Sequence, residues 1–236
     1  MLLDIFMNLW YNIKKRGDDM KFFKFNRNNS VCFIVVIMFI SFSINVYSSI
    51  MNSRYKILVG RETYTSLAEV KSRNESTLNT LTQCIKAKSI DNEELLNLYK
   101  NYTSISEEFI NLWTKYKDYG KEEIITIGKK NKILNEFKPN EVYSRLENLI
   151  FEYVNNQMKN KEEKLLLTDN ILENFIVMES MSKQLDDYYK DFDNKYFSNM
   201  DEERKKIEMI KECYWIESLK GMNSIMDPYL NYEFTI

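Results

Sequence analysis

The sequence predicts an all-α fold: an apolar N-terminal helix, then an antiparallel bundle of about five helices, then an extended C-terminal tail. Three observations lead to this class. The chain has 236 residues but only five glycines and two prolines, so it contains little material for tight turns and hairpins. Apolar residues recur three or four positions apart over most of its length. One apolar run near the N-terminus has no polar face, which distinguishes it from the other segments.

Residues 31–51 are predicted to be a transmembrane anchor or the core of a signal peptide. The apolar side chains of this segment are Val31, Phe33, Ile34, Val35, Val36, Ile37, Met38, Phe39, Ile40, Phe42 and Ile44. The continuous part ends at Ile44, short of the roughly 20 residues that a span requires, so length alone does not separate the two alternatives. Val46 and Ser48 offer the small side chains that a signal peptidase accepts. Secretion after cleavage near Ser48 therefore stays open beside an uncleaved anchor.

Basic residues predict the orientation of this segment. Those before it are Lys14, Lys15, Arg16, Lys21, Lys24 and Arg27, whereas only Arg54, Lys56 and Arg61 follow at a similar distance. Because the more basic flank stays inside the cell, residues 1–30 are expected to form a cytoplasmic segment and residues 52–236 an extracytoplasmic helical domain. The abundance of Lys, Asn, Ile and Tyr is typical of an AT-rich bacterial genome, so we expect a protein of a bacterial cell envelope.

The sequence Arg16-Gly17-Asp18 matches an adhesion motif, but this orientation keeps it from any external receptor. A basic segment of the kind that begins an export signal starts at Met20. We therefore expect the true start to be Met20.

Two helices are predicted to open the outward domain. The first covers Glu62–Ala87, with Asn74 interrupting its apolar stripe. The second begins at Ser89 or Asp91 as N-cap and ends at Gly120. Its apolar stripe consists of Leu95, Tyr99, Tyr102, Ile105, Phe109, Leu112, Trp113 and Tyr116.

Three further helices are predicted beyond a short helix and turn at 121–137. Asn140 is expected to cap the first of them, and residues 155–164 form either its end or a link. A long helix follows, with an inner face composed of Leu165, Leu172, Phe175, Ile176, Met178, Leu185, Tyr188, Tyr189 and Phe192. The last helix is capped by Ser198 or Asn199 and stops at Gly221, with Ile207, Ile210, Tyr214 and Leu219 inside.

The final residues change to a period of two, in which Leu230, Tyr232, Phe234 and Ile236 alternate with polar residues. This pattern indicates either an extended tail lying in a groove of the bundle, or an edge strand or docking peptide for a partner.

Composition excludes several kinds of chemistry. A chain without histidine has no Ser-His-Asp or Cys-His arrangement and no imidazole metal site. Scattered glycines exclude a phosphate-binding or dinucleotide-binding turn. The acidic residues Asp186, Asp187, Asp191 and Asp193 are interpreted as a solvated helix face, with weak calcium or magnesium binding as the alternative. No catalytic residue, metal or cofactor is assigned.

Two cysteines fall in the outward domain, where a disulfide is permitted. Cys84 and Cys213 either form a disulfide or remain two buried thiols.

From residue 51 onward the chain carries 27 basic and 32 acidic residues, which argues against nucleic-acid binding. We expect a non-enzymatic interaction or ligand-sensing module, held in the lipid bilayer through residues 31–51. Its partner would be an envelope protein, a peptide or a wall component. The alternative is a carboxylate-dependent enzyme that acts on envelope polymers.

Overall fold

A computed structural model describes the backbone of residues 27–123 and 139–235, and the side chains of residues 34–119 and 139–235. The chain divides into two compact units after Ser53. Arg16-Gly17-Asp18, the expected start at Met20, the side chains of Val31 and Phe33, residues 124–138 and Ile236 lie outside this description.

The N-terminal helix α1 covers Arg27–Ala87 and contains both the apolar run and the first helix of the outward domain. The predicted start at Glu62 is therefore wrong, because the intervening residues contain no proline and a single glycine. Among the described residues, α1 is the one helix long and apolar enough to span a membrane, and none of its apolar window is buried. Cleavage near Val46 and Ser48, which both lie within α1, stays a prediction.

The remaining described elements are mostly helical, which confirms the all-α prediction. The helices are α2 (Asn92–Glu123), α3 (Val142–Asn160), α4 (Asp169–Phe197), α5 (Glu202–Lys211) and α6 (Tyr214–Met226), followed by a 3₁₀ turn at Asp227–Tyr229. Two short strands, β1 (Ser89–Asp91) and β2 (Lys164–Leu166), pair antiparallel with Ile90 opposite Leu165. The sequence analysis missed these strands because three residues are too few to show a period.

Side-chain contacts show that α1 and α2 run in opposite directions. Residues with rising numbers on α1 meet residues with falling numbers on α2, in the pairs Glu62–Lys115, Ser66–Asn111 and Ser76–Asn101. Across α1 and α4, the buried Asn74 donates from Nδ2 to the main-chain oxygen of Ser182 at 2.9 Å. The residue that interrupts the apolar stripe of α1 thus joins α1 to α4.

The predicted apolar stripes form most of the shared core. On α2, Tyr102, Ile105, Phe109 and Leu112 are each at most 3% exposed. Removing a side chain of this size from water stabilises the fold by about 1.5–3 kcal/mol. The predicted inner face is wrong at Ile176 and Ile207, which are about half exposed, because each lies at the margin of its stripe.

One predicted N-cap is confirmed and two are wrong. Asp91 Oδ1 accepts a hydrogen bond from the Glu94 amide at 2.8 Å. Asp201, rather than Ser198 or Asn199, caps α5 in the same way through the Arg204 amide. Asn140 caps no helix, since its side chain and amide bind Asn223 and Asp227 near the end of α6.

Glycine does not end the helices where the sequence analysis placed it. Helix α2 continues past Gly120 to Glu123, and α6 passes through Gly221. The single last helix that was predicted is instead two helices, broken at Cys213. At the helix boundaries, residues other than glycine adopt the left-handed backbone conformation; they are Lys88, Lys161, Asp169, Asn199 and Cys213.

Gly221 serves close packing. A Cβ atom at this position would lie 2.1 Å from Tyr188 Oη. The Tyr188 hydroxyl donates to the main-chain oxygen of Glu217 one turn earlier, so the ring lies directly on the α6 backbone. Glycine at 221 is therefore required by the α4–α6 contact.

We expect Gly221→Ala to destabilise the protein. In an ordinary helix this change stabilises by about 0.5–1 kcal/mol. Here the clash with Tyr188 should lower the free energy of unfolding by about 1–3 kcal/mol. Urea denaturation of the full chain in detergent measures the difference.

The matched control is Ser224→Ala, an exposed position on the same helix, which should change stability by less than about 0.5 kcal/mol. In a Tyr188→Ala background the Gly221→Ala penalty should disappear. An equal penalty in both backgrounds would show that the Tyr188 contact is not its cause.

Candidate functional site

A cavity of about 280 Å³ opens between α1, α4, α5 and α6. Its floor is apolar and is formed by Leu67, Phe192, Phe197 and Met209. Its rim is charged and carries Lys71, Glu75, Asp193, Glu202 and Lys205. Such a combination of an apolar floor with a few polar groups is typical of small-molecule binding sites.

The floor is fixed by packing. All four of its side chains are buried in the core. The Phe192 ring lies 5.9 Å from the Phe197 ring and 4.8 Å from that of Tyr196, in tilted and edge-on contacts that aromatic rings favour. The shape of the floor therefore does not depend on a ligand.

Two ion pairs define the rim. Lys71 Nζ lies 2.8 Å from Asp193 Oδ2, and Lys205 Nζ lies 2.8 Å from Glu202 Oε1. The hydrogen bond from Lys205 lowers the pKa of Glu202, and the same bond raises the pKa of Lys205. Asp193 also acts electrostatically on Lys205, so the two pairs form one alternating network. Glu202 and Lys205 are therefore both charged at neutral pH.

Tyr64 adds a hydroxyl to this network. Burial, followed by the nearby charge of Glu202, raises the pKa of Tyr64 above its ordinary value. The phenol therefore remains protonated at neutral pH and donates to Glu202. The ammonium group of Lys206 lies 5.6 Å from the centre of the Tyr64 ring, which holds the ring at the cavity edge.

The state of these carboxylates bears on the enzymatic alternative. A general acid for glycan cleavage needs a carboxyl whose pKa is raised. In the cavity, Glu202 has a lowered pKa and Asp193 is paired with Lys71. Within the described side chains, no group of three or more acidic or cysteine residues is placed to hold a metal ion. Glu202 is therefore ionised and Asp193 is engaged by Lys71, so neither of these two carboxylates is arranged as a general acid.

Comparisons with protein-family models, with curated proteins and with solved structures gave no match. The function is therefore inferred from the geometry of the cavity.

The acidic cluster of the sequence analysis divides between two roles. Asp187 and Asp191 are exposed, as a solvated face requires, but this interpretation is wrong for Asp186, which is 9% exposed and pairs with Lys190 on the same helix. Asp193 instead faces the cavity, which the sequence analysis did not foresee.

The sequence analysis also missed Tyr64, Lys71, Glu202 and Lys205. One signal was present, because Lys71 falls on the same face of α1 as Leu67, which belongs to the apolar stripe. A lysine in that register indicates a charge held at the edge of a core. Nothing in the sequence shows that α5 lies opposite it.

The candidate docking residues follow the 3₁₀ turn. The expected extended tail is wrong at Leu230, whose helical backbone conformation continues that turn, and residues 232–235 have no regular secondary structure. Tyr232 and Phe234 are partly buried, Leu230 is 40% exposed, and Ile236 lies outside the described residues. The segment contacts α3 and α4. Whether it also serves a partner stays a prediction.

Cys84 and Cys213 are both free thiols in the structure. Cys84 Sγ lies 3.9 Å from Glu94 Oε2, and Cys213 Sγ lies 3.4 Å from Tyr119 Oη. Glu94 and Tyr119 belong to the same helix, 25 positions and hence about 38 Å apart. A bond between the thiols would require the domain to rearrange, because the Cα atoms of a disulfide lie within about 7 Å.

We expect the two thiols to react at different rates. Burial, followed by the charge of Glu94, raises the pKa of Cys84 to about 12, so almost no thiolate forms at about pH 8. Cys213 is partly exposed. In a Cys32→Ser chain at about pH 8, iodoacetamide should modify Cys213 at least about tenfold faster than Cys84.

Mass mapping of the modified chain without reductant measures the modification rates of Cys84 and Cys213 and detects any disulfide bond between them. A cross-linked peptide containing Cys84 and Cys213 would contradict the arrangement of α1, α2 and α6 described above.

Proposed function

We propose that this chain is a membrane-anchored protein of a bacterial cell envelope, and that its helical domain outside the membrane binds a small zwitterionic ligand in the cavity. The supporting observation is the juxtaposition of two lysine–carboxylate pairs with a rigid apolar floor. This role is that of a ligand-sensing or interaction module rather than an enzyme.

The alternating charges favour a zwitterion over a singly charged ligand. Lys71 and Asp193 are each about one-third exposed, so both are partly shielded from water. A ligand with one charge would separate an ion pair and leave its other member unpaired, which is costly in a partly buried site. A ligand with one carboxylate and one ammonium group can bind a lysine and an acid together. Every charge then keeps a partner.

The floor favours a ligand with an apolar side chain. Phe192, Phe197 and Met209 provide an aromatic and thioether surface, and the core behind these buried side chains already excludes water. An aliphatic or aromatic group placed there would bury its apolar surface away from water and make van der Waals contacts with the floor. Amino acids and short peptides with an apolar side chain combine both properties, and peptides occur at the cell envelope.

The proposed anchor explains the exposed apolar surface of the N-terminal unit. Met38, Phe39 and Phe42 are about two-thirds exposed, and their neighbours are also apolar. A continuous apolar surface of this kind is costly in water and favourable in a lipid bilayer. The more basic flank before it supports an inward N-terminus and an outward domain.

The test uses the full chain in lipid nanodiscs and a library of free amino acids and dipeptides, screened by calorimetric titration. We expect zwitterionic members with apolar side chains to bind. Acetylating the ammonium group or amidating the carboxylate of a bound member should weaken its binding by about tenfold or more. The variant Lys71→Met should weaken binding similarly, because it removes a rim ammonium group.

The control variant is Lys100→Met, at an exposed position of α2 away from the cavity. It should bind as the unaltered chain does. The proposal fails if no zwitterion binds, or if blocked and free forms bind equally.

A further inference from the structure

The segment Leu230–Thr235 lies on α3 and α4. Leu230 has a helical backbone conformation that continues the preceding turn, and residues 232–235 have no regular secondary structure. Its first amides bond locally, from Leu230 N to Asp227 O and from Tyr232 N to Tyr229 O. Beyond them Tyr232 and Phe234 turn toward the helices, while Asn231, Glu233 and Thr235 are exposed. The segment contains no fully buried side chain, so its release would expose little apolar surface.

Side chains of α3 and α4 bind the main-chain oxygens of this segment. The Arg145 guanidinium donates through Nη1 to Leu230 O at 2.7 Å and through Nη2 to Tyr232 O. Asn174 Nδ2 donates to Thr235 O at 2.6 Å, and Tyr153 Oη donates to the same oxygen at 3.4 Å. Main-chain oxygens are common to all peptides, so these contacts hold a backbone rather than select a particular sequence.

Two aromatic side chains of the segment add selectivity. The Tyr232 hydroxyl donates to Asn174 Oδ1 at 3.3 Å. The Phe234 ring lies 5.5 Å from the Arg145 guanidinium and 4.8 Å from the Tyr232 ring. The surface therefore favours a peptide with aromatic residues two positions apart.

We propose that Arg145, Tyr153 and Asn174 form a peptide-binding site, which the chain's own segment Leu230–Thr235 occupies and which the same segment of a second copy can occupy in exchange. Asn174 is 1% exposed and uses both side-chain polar atoms on the segment. Asn174 Nδ2 also donates to Tyr153 Oη at 2.7 Å, but a vacated site would remove the Tyr232 hydroxyl from Asn174 Oδ1, so it favours rebinding an identical segment. The site is independent of the cavity, which α4 lines from Tyr189 onward.

The test uses a full chain terminated after Tyr229, in nanodiscs, and a fluorescent peptide with the sequence of residues 230–236. Fluorescence anisotropy should show saturable binding to the terminated chain. Binding to the unterminated chain should be at least about tenfold weaker, because the segment already present competes at high effective concentration.

Matched variants distinguish binding at this site from non-specific binding of the peptide. A peptide with Tyr232→Ala and Phe234→Ala should bind at least about tenfold more weakly, whereas one with Asn231→Ala and Glu233→Ala should bind equally well. In the terminated chain, Arg145→Ala should weaken binding by a similar factor and the exposed Lys159→Ala should not. A folded terminated chain that binds no peptide, or binds both peptides equally, overturns the proposal.

Hydrogen exchange of the unterminated chain provides the second measurement, which decides the case if termination prevents folding. An exchangeable segment opens without the helices, so the Tyr232 amide, which bonds to Tyr229 O, should exchange at least about a hundredfold faster than the core of α3 and α4. Exchange at the same rate as that core would mean that the segment opens only on global unfolding, and would overturn the proposal.

Discussion

The fold depends on how a chain with five glycines reverses direction between helices. At Lys88, Lys161, Asn199 and Cys213, residues with side chains adopt a left-handed backbone conformation. For such residues this conformation costs about 1–2 kcal/mol each, and it persists only where the surrounding structure imposes it. The imposing structure is the core shared by α1 to α4 and α6. The packing of the helices therefore stabilises the left-handed turn conformations, and the turn residues do not by themselves determine the packing.

This constraint also places the candidate cavity. Helix α5 is a short element between the left-handed residues Asn199 and Cys213, and it carries Glu202, Lys205 and Met209 to the cavity edge. Its opposite wall is α1, where Leu67 and Lys71 lie one turn apart. Glycine is used for a different purpose, since Gly60 and Gly221 let Ile210 and Tyr188 approach the helix backbone closely. Gly60 thus allows the close approach of α5 to α1, and Gly221 that of α4 to α6.

The sequence predicts which face of a helix is buried, because that property repeats along the helix. It does not predict features that occur at a single position, such as a helix break or one tertiary contact. The stripe from Tyr102 to Leu112 identified its buried face correctly, because apolar spacing and burial share one period. The break at Cys213 could not be predicted, since no glycine or proline marks it and the tertiary structure determines it. Asn74 was recognised only as an interruption, although it binds the Ser182 main chain. The cavity joins residues more than a hundred positions apart, so the pattern of a single helix contains only half of the Lys71–Asp193 ion pair.

The claim that packing imposes left-handed turns on residues with side chains can be measured directly at Lys161. This residue is exposed, with φ 56° and ψ 35°, and its amide bonds to Gln157 O. Glycine adopts this conformation without strain, so Lys161→Gly should raise the free energy of unfolding by about 0.5–1 kcal/mol. The same substitution at Lys100, exposed in the middle of α2, should lower it by about 0.7–1 kcal/mol. Urea denaturation of both variants decides the matter, and an equal loss of stability in the two would contradict the account.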